Sequence, residues 1–200
     1  MSFLTRIDLK RTMELYRKQK EQKLQQKGIV IWFTGLSGAG KTTLATNLEK
    51  RLLDAGFYTV LLDGDILRNG LNAGLGFTDA DRFENIRRAA ETAKLFAQNG
   101  VVTLCSFITP TEVLRNQVRL LLEHEQYEEI FVKCSIETCE RRDVKGLYKK
   151  VRDGGLSHFT GISSSFEIPI KPTITVDTEV STVTECIEII YSKIITKILF

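Results

Sequence analysis

Apolar positions along this chain fall into two kinds of pattern. Continuous runs occur at Ile29-Val30-Ile31-Trp32-Phe33, at Tyr58-Thr59-Val60-Leu61-Leu62 and from Val101 to Phe107. Runs of this kind are what strands buried on both faces require. Glu129 to Cys134 predicts a fourth strand and Thr173 to Val176 a weaker fifth. Helical patterns separate them. One helix is expected from Lys41 to about Ala55. The clearest lies over 78–98, where Phe83, Ile86, Ala90, Ala93 and Ala97 alternate at spacings of 3 and 4 and form one apolar stripe. Thr78 followed by Asp81 has the form of a capping box, and Asn99-Gly100 ends the helix. Strand and helix alternate along the chain, which predicts an α/β fold with a parallel sheet covered by helices on both faces.

Two stretches stand outside this alternation. Residues 143–172 hold few apolar runs, several glycines and basic residues, and two prolines. They read as a mobile flap, a lid over about 143–170. At the other end, residues 1–27 carry eight Lys/Arg and three Asp/Glu, a local net of +5, whereas the whole chain nets only +3. The body, residues 28–200, therefore nets −2. The basic arm, with Arg17, Lys18, Lys20, Lys23 and Lys27, reads first as a solvated helix leading into the domain. The alternative is a cationic arm over an anionic partner or a neighbouring subunit.

Composition changes the picture little. Two hundred residues, 42% hydrophobic and 26% charged, suit one globular domain. The charge excess is too small for a nucleic-acid polyelectrolyte. Cys105, Cys134, Cys139 and Cys186 form no CxxC pair and read as reduced thiols of a cytoplasmic protein. No secretory signal and no apolar stretch approaching a membrane span is present.

The chemistry lies in the loop after the first strand. Gly35-Leu36-Ser37-Gly38-Ala39-Gly40-Lys41-Thr42, followed by Thr43, fits G-x-x-x-x-G-K-[ST] completely. Glycines let successive backbone N–H groups converge on a phosphate, and the following helix adds its N-terminal dipole. Lys41 is expected to reach the β- and γ-phosphates, and the Thr42 hydroxyl to hold Mg²⁺. A buried strand before the loop and a helix after it are the required context. The motif implies an ATP or GTP site. With no N-K-x-D guanine motif in so short a chain, a small-molecule kinase fits best.

Acceptor chemistry is expected at the same sheet edge. Asp63-Gly64-Asp65 follows the second strand and supplies one carboxylate for the metal and one to take a proton from an attacking hydroxyl. Arg68, and then Arg82, Asn85 and Arg88 at spacing three, offer a row that can grip an anionic acceptor. A solvated helix face explains the row equally well. Phe107-Ile108-Thr109-Pro110 closes the third strand nearby.

With these residues in hand, the chain resembles the adenylyl-sulfate kinase family over about residues 28–195. The likeness is carried by Ile31-Trp32-Phe33-Thr34 leading into the glycine loop, by Asp63-Gly64-Asp65 with Arg68, and by Leu75-Gly76-Phe77 with Asp81-Arg82-Phe83-Glu84-Asn85-Ile86-Arg87-Arg88. Further along it continues in Cys139-Glu140-Arg141-Arg142-Asp143, Lys145-Gly146-Leu147-Tyr148-Lys149-Lys150 and Phe159-Thr160-Gly161-Ile162. The resemblance implies a P-loop nucleotide kinase fold and Mg-ATP-dependent phosphorylation of the 3′-hydroxyl of adenosine 5′-phosphosulfate (APS). It implies that Asp65 is the base or metal-associated carboxylate, that Asp63 supports it, and that Arg68, Arg82 and Asn85 hold the acceptor. Phe77 and Phe166 would sandwich the APS adenine, Ile108, Lys145 and Leu147 would complete that pocket, and Arg141 would lie against the ATP adenine. A homodimer is implied too, as is a separate ATP sulfurylase upstream, for which this chain has no room.

Two positions depart from the family pattern. Thr109 stands where serine is usual, with Thr111-Glu112 in place of an aromatic or histidine followed by arginine. Thr109 keeps a hydroxyl among the catalytic candidates, although phosphoryl transfer calls for positioning rather than a protein nucleophile. Ser163-Ser164-Ser165-Phe166-Glu167 lacks the family's proline. The rivals are a kinase of the same fold acting on another nucleotide 5′-phospho-anhydride, such as a cytidine conjugate, and a non-catalytic nucleotide-binding subunit.

Overall fold

The structure is a computed structural model that describes residues 6–122, 126–155 and 159–200, with the side chains of 6–10 left aside. The parts of the expected arm and lid at 1–5 and 156–158 therefore lie outside the described residues. Five strands, β1 (Ile29–Thr34), β2 (Thr59–Asp63), β3 (Val102–Ser106), β4 (Gln126–Lys133) and β5 (Ile174–Asp177), form one sheet in the order β2-β3-β1-β4-β5. All its pairings are parallel. The helices are α1 (Arg6–Leu24), α2 (Lys41–Asp54), α3 (Gly64–Arg68), α4 (Asp79–Ala97), α5 (Glu112–Leu121), α6 (Ile136–Arg142), α7 (Leu147–Arg152) and α8 (Val183–Ile198).

Strand β1 shows why the apolar runs are continuous. Ile29, Ile31 and Phe33 pack on one face with α2 and α8, while Val30 and Trp32 pack on the other with α4 and α5. Successive side chains point to opposite faces, so a strand with two covered faces has no polar position to spare. The helix expected at 78–98 is α4. Its capping box forms, with Thr78 Oγ1 accepting from Asp81 N and Asp81 receiving the Thr78 N–H. One member of the expected stripe departs: Phe83 is exposed, and Asn85 and Ala89 join Ile86, Ala90, Ala93 and Ala97 in the interior.

The arm is not a free tail. Gln26 is fully buried and donates to the carbonyls of Tyr58 (2.9 Å) and Gly100 (2.7 Å) while accepting from Tyr58 N (2.7 Å). Glu21 accepts from Gly28 N at 3.0 Å and pairs with Arg17 at 3.1 Å. These contacts dock the end of α1 against the amino ends of β1, β2 and β3, the edge away from the glycine loop. Lys18 and Lys23 stay exposed.

The expected flap is also more anchored than its composition suggests. Asp143 caps α7 by accepting from the N–H groups of Tyr148 and Lys149, both at 3.0 Å. Tyr148 is 1% exposed, and its hydroxyl donates to Ser37 O at 2.9 Å, tying α7 to the glycine loop. Phe159 packs edge-on against Tyr148.

Thr111-Glu112 has a structural task. Thr111 caps α5, and Glu112 pairs with Arg115 (2.9 Å) and Arg119. Arg119 also reaches the buried Glu129 at 2.7 Å. Arg115 is 1% exposed and donates to Thr109 O at 3.0 Å. Burial pushes the Glu129 carboxyl up, and Arg119 opposes that push. Removing one partner of such a set strands the other charges. Arg115→Met is therefore expected to cost about 3 kcal/mol, read as a lower urea midpoint. An unchanged midpoint would show that the network contributes nothing.

Candidate active site

The carboxyl ends of β1, β2 and β3 open into a cleft of about 660 Å³. The glycine loop forms one wall. Gly35 leaves β1 where an added Cβ would stand 2.6 Å from Val132 O, so a side chain there would force the loop off the sheet. Gly40 caps α2 in the left-handed region at φ 101°, which glycine adopts without strain. Ser37, Gly38, Gly40, Lys41, Thr42 and Thr43 face the cleft, whereas Gly35, Leu36 and Ala39 lie behind it. Lys41 is buried and donates to Leu36 O at 2.7 Å. Burial, with Lys145 adding to it, lowers its pKa to about 8 from an ordinary 10.5.

Beside the loop is an oxygen cluster. Thr42 Oγ1 donates to Asp63 Oδ2 at 2.8 Å and lies 3.2 Å from Ser106 Oγ. The register explains the meeting, since Asp63 and Ser106 are partners at the ends of β2 and β3. Asp63 also caps α3, its Oδ1 accepting from Asp65 N at 2.9 Å. Of the two aspartates it is Asp63, not Asp65, that meets the Thr42 hydroxyl. Asp65 points elsewhere in the same cleft, where Lys145 from the lid forms an ion pair with it.

The far wall holds the expected acceptor residues. Phe77 is half exposed, with the Arg68 guanidinium 4.3 Å and the Arg82 guanidinium 5.9 Å from its ring centre. Arg68 is fixed by the carbonyls of Leu75 (3.1 Å) and Gly76 (3.0 Å), and Arg82 by Phe77 O (3.0 Å) and Thr160 Oγ1 (3.2 Å). Burial lowers the pKa of both guanidinium groups, and Arg68 lowers that of Arg82 further. Two held cations that repel each other suit an anion. Asn85, Ile108, Thr109, Lys145 and Leu147 line the same space.

Three expectations sit differently. Phe166 does not face Phe77. It stacks at 6.2 Å on Phe131 and lines a second cavity, shared with Leu36, on the β4 side of the loop. The lid aromatic that lines the cleft with Phe77 and Phe107 is Phe159. Arg141 is exposed on α6 and donates to Thr138 at 3.0 Å, outside the cleft lining. Its neighbour Arg142 reaches Thr178, whose hydroxyl donates to Ala39 O at 2.9 Å behind the loop. The Thr109 hydroxyl is buried and accepts from Trp32 Nε1 at 2.8 Å. Ser106, Phe107 and Pro110 also line the cleft. Their place at the end of a buried strand was the only signal in the sequence.

All four cysteines are free, and no described helix is long and apolar enough to cross a membrane. A family profile for adenylylsulphate kinase matches residues 27–177. An adenylyl-sulfate kinase of Clostridium acetobutylicum is 51% identical over 175 residues, covering 88% of this chain and 87% of the relative. A probable adenylyl-sulfate kinase of Halalkalibacterium halodurans is 49% identical over 176 residues, covering 88% and 87%. The structure of a Mycobacterium tuberculosis APS kinase in complex with AMPPNP and APS superposes with a TM-score of 0.79 at 42% identity, covering 82% of this chain and 96% of that one. Glycine loop, paired aspartates and caged arginines stand in one cleft of a chain matched along most of its length, and the chain belongs to the adenylyl-sulfate kinase family.

Proposed function

We propose that the cleft moves the γ-phosphoryl group of ATP in line onto the 3′-hydroxyl of APS, giving 3′-phospho-APS. The observation that carries this reading is that the phosphate-binding loop, Asp65 and the Arg68–Phe77–Arg82–Asn85 group line one cleft. Lys41 turns from Leu36 O to the β- and γ-phosphate oxygens, and the loop N–H groups hold the rest. Arg68 and Arg82 grip the phosphosulfate, and Phe77 and Phe159 flank the adenine. Asp65, exchanging its lid ion pair for substrate, takes the 3′-hydroxyl proton. The 3′-oxygen then bonds to the γ-phosphorus as the bond to the bridging oxygen breaks, and ADP leaves. Most of the catalytic effect then comes from positioning and charge stabilisation.

The oxygen cluster of Thr42, Asp63 and Ser106 fits a hard cation, and among the described residues no three His, Cys, Asp or Glu side chains gather to hold a metal by themselves. That suits Mg²⁺ held largely by water and phosphate oxygens. Bound there, Mg²⁺ would neutralise charge on the triphosphate; Thr42 and Asp63 are the residues that would hold it. The homodimer belongs to the same proposal, and exposed Met13, Leu15 and Tyr16 on α1 support it.

Lys41 makes ATP binding sensitive to pH. Its pKa of about 8 in the free protein lies below 10.5, so its charged form costs stability below pH 8. That cost fades as the pH rises through 8 towards 10.5. Phosphate favours the charged form and raises the pKa again. Affinity for ATP should therefore fall as the pH rises above about 8, and binding there should take up protons. Calorimetry in buffers of different ionisation enthalpy reads this directly; pH-independent binding would refute it.

The acceptor is tested by ADP release with APS and with a cytidine 5′-conjugate, side by side. Turnover with APS alone supports the reading. Preference for the cytidine conjugate would replace it.

A further inference from the structure

Asn72 lies in the loop between α3 and α4 and is fully buried. Its Nδ2 is 3.4 Å from the backbone carbonyl of Asn85 and 3.0 Å from Asn85 Oδ1. A backbone carbonyl only accepts, so the amino end of the Asn72 amide must be the end that faces α4. Asn85 is then fixed in turn. Its Oδ1 must face Asn72, and its Nδ2 must point the other way.

Asn85 is 6% exposed and lines the cleft beside Arg82. Its Nδ2 has no hydrogen-bond partner among the described residues and is not among the sealed polar atoms, so it opens to the cleft. The arrangement carries a cost: Asn72 Oδ1 is buried with no partner. An apolar residue would fill the space without that desolvation penalty. The loop is already held without the amide, by Asn72 N to Leu67 O (2.8 Å) and Leu75 N to Asn72 O (3.2 Å). What the side chain adds is the orientation of Asn85.

We propose that Asn72 is a positioning residue for the acceptor nucleotide. It locks the Asn85 amide so that two N–H donors, never the carbonyl oxygen, meet an acceptor atom of APS. The inference rests on the reading of this wall as the APS site.

Steady-state kinetics of five variants test it. Asn72→Asp offers only acceptors and turns Asn85 round; the Michaelis constant for APS should rise roughly tenfold with that for ATP unchanged. Asn85→Ala should also raise the APS constant, and Asn72→Asp should add nothing to it in the double variant. Asn85→Asp still accepts from Asn72 but offers the cleft no donor, so it should raise the APS constant more than Asn85→Ala does. It also serves if Asn72→Asp does not fold. A wild-type APS constant in folded Asn72→Asp or in Asn85→Asp, or an Asn72→Asp effect that persists without Asn85, overturns the inference. Should Asn85→Ala leave the APS constant unchanged while Arg82→Ala raises it, the role of Asn85 fails and the site reading survives. Should both leave it unchanged, the site reading itself fails.

Discussion

Asp65→Asn is expected to lower kcat at least about a hundredfold, the usual contribution of a positioned general base, while the protein stays folded. The local structure makes this a clean experiment. The cap of α3 comes from Asp63, not Asp65, so the helix start survives. The Asp65 side chain is 64% exposed, and its ion pair with Lys145 lies at the surface. Such a pair contributes at most about 1 kcal/mol. Asparagine keeps the shape and gives up the charge and, with it, the ability to take the proton. Turnover near that of the wild type, with an unchanged urea midpoint, would remove Asp65 from the mechanism and return attention to Asp63.

Lys41→Met should lower kcat by about two to three orders of magnitude, the cost of losing a donor aimed at transition-state charge. Folding should not suffer. The ammonium group is buried, and that burial is the main reason its pKa falls to about 8. Methionine fills the volume without the desolvation cost. The expected signature is thus an inactive protein with a melting temperature equal to or above the original. Loss of activity together with a large fall in melting temperature would instead make Lys41 a structural residue, its bond to Leu36 O the part that matters.

The fold was readable where a single local cause decides it. The strands announce themselves because both faces of the sheet are covered, and the Thr78–Asp81 cap because it closes within one turn. The glycine loop is readable because close approach and left-handed backbone leave few alternatives to glycine. Features that depend on distant partners were not. Gln26 reads as one more polar residue of a basic arm until β2 and Gly100 arrive to bond it. Glu112 reads as a departure from the family pattern, and its reason is Glu129 on β4, which gathers Arg119 and Arg115 around the same site. Tyr148 looks like part of a polar lid because its partner, Ser37 O, is more than a hundred positions away.

The site follows the same rule. Arg82 and Asn85, three apart on α4, both line the cleft, whereas Arg88, the third of that row, turns to Glu84 and the Leu71 carbonyl. In the lid, Lys145 and Leu147 line the cleft too, but Phe166 does not. Phe159 and Phe166 are seven positions apart in an irregular segment, and no periodicity decides which of the two reaches the cleft. Likewise Asp63 and Asp65 share one motif, and only the register of β2 on β3 assigns Asp63 to Thr42.

The central claim is the position to which the phosphoryl group goes. It is tested most directly by incubating the enzyme with ATP labelled in the γ-phosphate and APS, isolating the nucleotide product and treating it with a 3′-nucleotidase. The structure predicts label in a sulfated nucleotide, all of it released by the 3′-specific enzyme. Label found only in free phosphate, or in a nucleotide that resists the 3′-nucleotidase, would contradict the assignment.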